Sequence, residues 1–174
     1  TLLILDLVLY GQHVLFHHVP FLWRLHRVHH TDVNLDTTSG VRFHPVEIAL
    51  SLLLKLLAVG LIGAPAAGII FFEILLNGSA LFNHSNIKLP KSLDRVLRVL
   101  IVTPDMHRVH HSTIPAETNS NFGFNLPWWD WLFQTYKAQP RAGHLKMSIG
   151  LTEFPSEKKL TLQALLALPF NKRP

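Results

Sequence analysis

The pentapeptide His-Arg-Val-His-His occurs twice in this chain, at His26 to His30 and again at His107 to His111. Side chains three and four residues apart share a helix face, so each copy is expected to project its three imidazoles along one stripe and to form one half of a site. His13 and His17 stand four apart in an apolar stretch just upstream, which predicts a helical pair on a common face. Imidazole is the commonest protein metal ligand, and neither packing nor pH sensing calls for such density. One ion takes about four to six ligands, so the eight histidines of these three boxes imply two ions. The chain has no cysteine, which excludes disulfides, thiolate zinc sites and iron–sulfur clusters. Any metal is therefore held by nitrogen and oxygen. Imidazole suits zinc, copper, iron and nickel alike, and leaves the metal open.

Between the two pentapeptides lies an almost unbroken apolar run, Val46 to Phe82, interrupted by Gly60, Gly63 and Pro65. It is too long for one membrane span and suits two short ones, which predicts a helical hairpin centred near Gly63 and Ala64 that enters and leaves on the same side. Lys55 and Glu73 stand at similar distances from that centre and are expected to lie at equal depth and to pair. The hairpin also returns the chain to the side of the first box, delivering His84 in Asn83-His84-Ser85-Asn86 as a ninth histidine. Hydrophobic residues make up 48% of the chain and charged ones 16%, against about 25% charged in a soluble domain, which indicates a membrane protein. The net charge of +5, with Lys and Arg beside the boxes and near the C-terminus, suits a cytoplasmic membrane surface. It does not suit the solvated basic face of a nucleic-acid binder, so no nucleic-acid partner is expected.

Around these features the elements fall into order. Residues 1–19 read as a helix of nearly spanning length with Asp6, Tyr10, His13 and His17 on one stripe, leaving His18 off it as a non-ligand. Pro20 ends that helix, and a short amphipathic helix from about Leu22 to Thr31 is expected to carry the first box. After a polar loop, Asp32 to Gly40, Pro45 opens the hairpin with His44 at its start. Pro90 to Leu100 reads as a basic amphipathic helix. Thr103 and Pro104 supply a cap and a first-turn proline for the helix holding His107, His110 and His111. Trp128 to Phe133 resembles an aromatic cluster at headgroup depth, and Leu160 to Phe170 another amphipathic helix. The chain begins at Thr1 inside an apolar run without a charged leader, and is read as one domain, 1–174, truncated at its N-terminus. The expected fold class is all-α: an integral membrane helical bundle with a short helical hairpin and a cytoplasmic-side, histidine-lined di-metal site.

The boxes His-x3-His, His-x2-His-His and His-x2-His-His, in this order around an apolar hairpin, resemble the fatty acid hydroxylase and sterol desaturase superfamily of integral membrane oxygenases. So do Arg42-Phe43-His44-Pro45-Val46-Glu47, Asn83-His84-Ser85-Asn86, Thr103-Pro104-Asp105-Met106 and Asn121-Phe122-Gly123 with Trp129-Asp130-x-Leu132-Phe133. The resemblance covers nearly the whole chain. It departs at Phe122 and Gln134, where members often have Tyr and Gly, and at Ala80, where some have a further histidine. It implies two iron ions as cofactor, with zinc as a substitute in purified protein, and O2 as co-substrate. It also implies hydroxylation or desaturation of a membrane lipid, sterol or fatty acyl among others, with electrons from a separate donor protein. The implied ligands are His13, His17, His26, His29, His30, His107, His110 and His111, with His84 as the additional histidine and His44 as a candidate tenth. Asp6, Asp105 and Asp130 are expected to accept from the ring N–H groups of the ligands. Three other readings compete: a zinc-dependent membrane hydrolase, a transporter, and a non-catalytic metal-binding membrane protein. The hydrolase lacks the Glu base of a His-Glu-x-x-His pair. The transporter would place ligands at the membrane midplane, whereas these boxes flank the apolar segments.

Overall fold

A proline that cannot continue a helix turns the chain early. Helix α1 (Leu2–His18) ends at Val19, whose backbone is extended at φ −91°, ψ 115°, and helix α2 (Pro20–His26) leaves at 103° to it. The residue before a proline avoids the helical region, while proline itself fits the first helical turn, so the corner at Val19 and Pro20 follows from the sequence. The computed structural model describes residues 1–154 and 161–171.

Helix α3 (Pro45–Ile62) and helix α4 (Ala66–Asn83) form the expected hairpin. Each has 18 residues, with mean hydropathies of 2.1 and 1.5, and at 1.5 Å per residue each is about 27 Å long, close to the hydrocarbon thickness of a bilayer. Both are long and apolar enough to cross a membrane, and the bent pair α1 and α2 makes a third candidate if it counts as one span. Gly63 turns the hairpin at φ +59°, a left-handed conformation that glycine adopts without strain. Leu5 and Leu9 of α1 pack with Ala58 and Phe72 of the hairpin into the apolar core, while Leu53, Leu57, Leu61, Ile70 and Ile74 face outward as a lipid-suited band.

The rest of the chain consists of short helices: α5 (Lys91–Leu97), α6 (Pro104–His110), α7 (Pro115–Thr118), α8 (Trp128–Leu132) and α9 (Leu162–Ala167). Among the described residues there is no strand, only an isolated bridge between Ser112 and Ile149. Two expectations need correction. The helix predicted from Leu22 to Thr31 stops at His26, and His29–Thr31 forms a 3-10 turn in which the Thr31 hydroxyl competes for the Val28 carbonyl at 2.7 Å. The basic helix ends at Leu97 rather than Leu100. Of the aromatic cluster, Trp129 is committed inward, its indole N–H donating to Asp6 Oδ2 at 2.8 Å, and Trp128 donates to the Val99 carbonyl at 2.7 Å. The last helix covers Leu162–Ala167 and continues as a 3-10 turn to Phe170, while Leu160 lies outside the described residues. Arg27 donates to the Leu168 carbonyl at 2.7 Å, tying that segment to α2.

Lys55 Nζ donates to Glu73 Oε1 at 2.6 Å, with the two side chains 18% and 39% exposed. Removing one partner strands the other charge inside an apolar layer, whereas removing both does not. Lys55→Leu alone is therefore expected to lower the unfolding temperature in detergent more than the double change Lys55→Leu with Glu73→Leu. The coupling expected from a thermal double-mutant cycle is about 0.5–3 kcal/mol, and simple additivity would show that the pair contributes nothing.

Candidate metal centre

The stripe of α1 that carries Leu9, Tyr10 and Phe16 into the interior carries His13 and His17 with it. His26 ends α2, and His29 and His30 occupy the 3-10 turn beyond it. His84 follows α4 as its C-cap. His107 and His110 lie on α6 and His111 is its C-cap, and that helix starts from Thr103, whose hydroxyl donates to Asp94 at 2.6 Å and caps the Met106 N–H. These nine side chains from five stretches of the chain are all buried, none more than 9% exposed.

They form two groups. His13, His17, His26, His30 and His110 offer one nitrogen each within 4.8 Å of one another, and His29, His84, His107 and His111 do the same. The grouping corrects the expectation that each pentapeptide is one half of the site. His26 and His30 join the first group while His29 joins the second, and His107 and His111 join the second while His110 joins the first. In the second box helix geometry explains the split: at about 100° per residue, positions i and i+4 are only about 40° apart, whereas i+3 falls on the other flank, about 100° from i+4. The first box reaches the same division by another route, because α2 stops at His26 and a 3-10 turn places His29 and His30.

Ring orientation is set by what each Nδ1 meets. It faces the Phe122 carbonyl for His13 (2.8 Å), Glu47 Oε1 for His26 (2.6 Å) and the Arg42 carbonyl for His29 (3.2 Å). For His84 and His110 it faces the Ala80 and Ser120 carbonyls at 2.7 and 2.8 Å, and for His17 the side-chain oxygen of Asn119 at 3.2 Å. These oxygens only accept, so in each of these rings Nδ1 carries the hydrogen and Nε2 presents a lone pair. Yet Nε2 of His13 faces Nε2 of His26 at 3.1 Å, and Nε2 of His84 faces Nε2 of His29 at 3.0 Å. Two lone pairs at that distance share no proton. Protonation is opposed as well: burial pushes His29, His30, His107 and His111 well below their ordinary range, His84 down to about 4 and His110 to about 3. Nε2 of His17 and of His110 and both ring nitrogens of His30 are buried with no hydrogen-bond partner among the described residues. A donor set of neutral nitrogens aimed at common points fits metal cations and little else.

Glu47, 3% exposed, is the carboxylate that touches these rings. It lies in the first turn of α3, 21 positions after the histidine it holds. The aspartates expected in that role sit elsewhere. Asp6 accepts from Asn125 and Trp129, and Asp105 faces Arg108 and His144 at 3.9 and 3.8 Å. Asp130 accepts from the Phe122 and Gly123 N–H groups at 2.8 and 2.9 Å, so it holds the backbone whose Phe122 carbonyl orients His13. His44 belongs to neither group: its Nδ1 accepts from the Val46 N–H at 3.2 Å as the cap of α3, and its Nε2 meets the Leu166 carbonyl. His18 is exposed and bonded to its own helix, as its position off the stripe predicts. Gly40 allows α4 to come close, since a Cβ there would lie 2.7 Å from the Ala80 carbonyl oxygen and 3.2 Å from His84 Nδ1. Aromatic rings seal the centre: Phe43 stacks on His29 with centroids 4.4 Å apart, and Phe122 is edge-on to His13, His17 and His110. A cavity of ≈ 340 Å³ between α1, α3 and α4 reaches His13 and His26.

Comparison with known proteins follows this geometry. A family model described as fatty acid hydroxylase matches residues 1–135. The chain is 32% identical over 172 residues to ornithine lipid hydroxylase OlsE of Rhizobium tropici, covering 99% of this chain and 50% of that protein. The chain thus spans about half the length of that relative. No solved structure matches.

Two measurements test the centre. In metal-free protein the unfolded chain takes up protons at histidine below the ordinary value of 6.5, while the folded chain refuses them down to about 4 at His84 and about 3 at His110. The state that binds more protons gains as pH falls, so stability should be level above neutrality and drop from about pH 6.5 downward. The expected slope is about 1.4 kcal/mol per pH unit for each such histidine, read as unfolding temperature against pH. Separately, Glu47→Leu should weaken metal binding about 10–100-fold, and Glu47→Gln, which keeps an acceptor for His26, should recover part of that loss in a metal titration.

Proposed function

We propose, from the premise that the chain belongs to the fatty acid hydroxylase family, that it is a membrane-bound non-haem di-iron oxygenase that hydroxylates or desaturates a membrane lipid. The observation that carries this reading is the pair of inward-facing imidazole sets, five and four nitrogens, beside a cavity open to the membrane segments. His13, His17, His26, His30 and His110 would hold one iron and His29, His84, His107 and His111 the other. Bound iron would supply the activation of O2 needed to oxidise an unactivated C–H bond, chemistry that no side chain provides.

The chain's own residues do the rest. Glu47 and the carbonyls of Phe122, Arg42, Ala80 and Ser120 hold the rings in one tautomer and orientation. Phe16, Phe43 and Phe122 exclude water from the rings they cover. Hydroxylation combines one C–H, one O2, two electrons and two protons into one alcohol and one water, and the electrons come from a separate donor protein. Arg24, Arg27 and Arg108 lie beside the boxes, and this concentration of positive charge supports a cytoplasmic position for the centre.

The ligand count also bears on the zinc alternative. Four imidazoles fill the tetrahedral sphere of zinc, and a hydrolytic zinc keeps one position open. A metal that takes about six ligands retains room beside either group.

The experiment is lipid profiling with full-length protein loaded with iron or with zinc. Iron should give a lipid product that has gained one oxygen or lost two hydrogens, with matching O2 uptake. His29→Ala and His110→Ala should each bring turnover to background while the metal-free protein unfolds near the wild-type temperature. O2 consumption by the zinc form at the rate of the iron form would defeat the redox assignment.

A further inference from the structure

A second cavity reaches the histidines from outside the hairpin. Its volume is ≈ 270 Å³, and its walls include Ser112, Thr113, Asn119, Thr152 and Glu153. Among the described residues none of its walls comes from α3 or α4, and Glu153 is the only Asp, Glu, Lys or Arg that lines it. Asn119, Thr152 and Glu153 are exposed, so the cavity opens to solvent. His17 is the one histidine of the centre in its wall, and at 9% exposure it is also the most accessible of the nine. Its Nδ1 donates to the exposed Asn119 side chain at 3.2 Å, whereas His13 and His26 are held by the buried Phe122 and Glu47. His30 and His110 stand next to it, with ring centroids 4.9 and 4.6 Å away. Every ring nitrogen of the five-histidine group that is buried without a hydrogen-bond partner among the described residues belongs to these three rings. Unengaged nitrogens therefore begin at the cavity wall and lead inward.

We infer that this cavity is the port through which hydrated divalent cations enter and leave the centre, with His17 the first ligand they meet. A divalent cation gives up its water only where other oxygen or nitrogen donors replace it, and hydroxyl, amide and carboxylate groups supply such donors up to His17. The cavity that reaches His13 and His26 lies instead between α1 and the membrane-spanning hairpin, where an unpaired ion is costly, and it carries the Lys55 cation in its wall. The inference rests on the metal centre and not on its redox chemistry. Narrowing a passage raises the barrier in both directions alike and leaves the affinity unchanged, whereas loss of a ligand or of the fold changes the affinity.

The test uses full-length protein in lipid nanodiscs with cobalt(II) alone as the probe, its visible absorption followed during uptake and during release to excess EDTA. The chain has no cysteine, so Thr152→Cys places a single thiol at the exposed mouth, which a bulky methanethiosulfonate caps after the protein has folded. Capping should slow uptake and release alike by about tenfold or more, with the dissociation constant unchanged within about twofold. Reduction of the mixed disulfide should restore both rates, and wild-type protein given the same reagent should keep its rates. Thr113→Trp, which narrows the cavity from another wall, should act as the cap does. Leu76→Trp, which fills the cavity between α1, α3 and α4, should leave both rates unchanged. Cobalt that binds the capped protein but exchanges at the wild-type rate overturns the port alone. Slowing by Leu76→Trp in place of the cap, or slower uptake without slower release, overturns it as well. Protein that takes up no cobalt overturns the metal centre and the port together.

Discussion

Lone pairs held face to face among buried rings are the constraint on which the rest of this structure depends. Rings left free to turn would relieve that repulsion by presenting N–H to lone pair. They are kept from doing so by acceptors brought from distant parts of the chain. Phe122, Ser120 and Asn119 come from the segment after α6, Arg42 and Glu47 from the approach to α3, and Ala80 from the last turn of α4. Stretches that look like connections are therefore the frame of the centre. Asp130, buried and bonded to two successive backbone N–H groups and to Thr135, keeps one of those stretches in place.

The apolar hairpin answers a different demand. In lipid every backbone group must be satisfied internally, which restricts the membrane layer to helices and moves irregular backbone to its edge. The hairpin's two ends lie on one side, and there the capped, turned and 3-10 segments gather around the histidines. Helix α1 belongs to both regions. Its Asp6 is bonded to Asn125 and Trp129, and this contact sets the rotation of α1 that turns His13 and His17 inward.

Much of this was legible in the sequence because it is local. Four-residue spacing announced the pair His13 and His17, and the repeated pentapeptide announced the two boxes as ligand-bearing, though not their division between two groups. A long apolar run with glycine and proline at its middle announced the hairpin, the pairing of Lys55 with Glu73, and the return of His84 to the side of the first box. What depended on tertiary placement was not legible. A backbone carbonyl has no signature in sequence, so four of the groups that orient the rings, the carbonyls of Phe122, Arg42, Ala80 and Ser120, could be found only in the fold. Glu47 stood inside a motif already noticed, but its partner is 21 residues away. Asp6 and Asp130 were expected to accept from ring N–H groups and accept instead from Asn125, Trp129 and the backbone of Phe122 and Gly123, because a buried carboxylate in an apolar helix or loop accepts from whichever donor packs against it. The 3-10 turn at His29 escaped notice because the local pattern reads as helix throughout.

The crossing of the two boxes has a consequence for occupancy. Since each pentapeptide contributes to both groups, a first cation bound there would fix the helix and turn that carry nitrogens for a second. The ordering entropy of the second sphere would then be largely spent before its ion arrived, which is a source of positive cooperativity. On the proposed two-metal reading, a singly filled protein would be a minority species, and the centre would pass between empty and doubly filled as one unit.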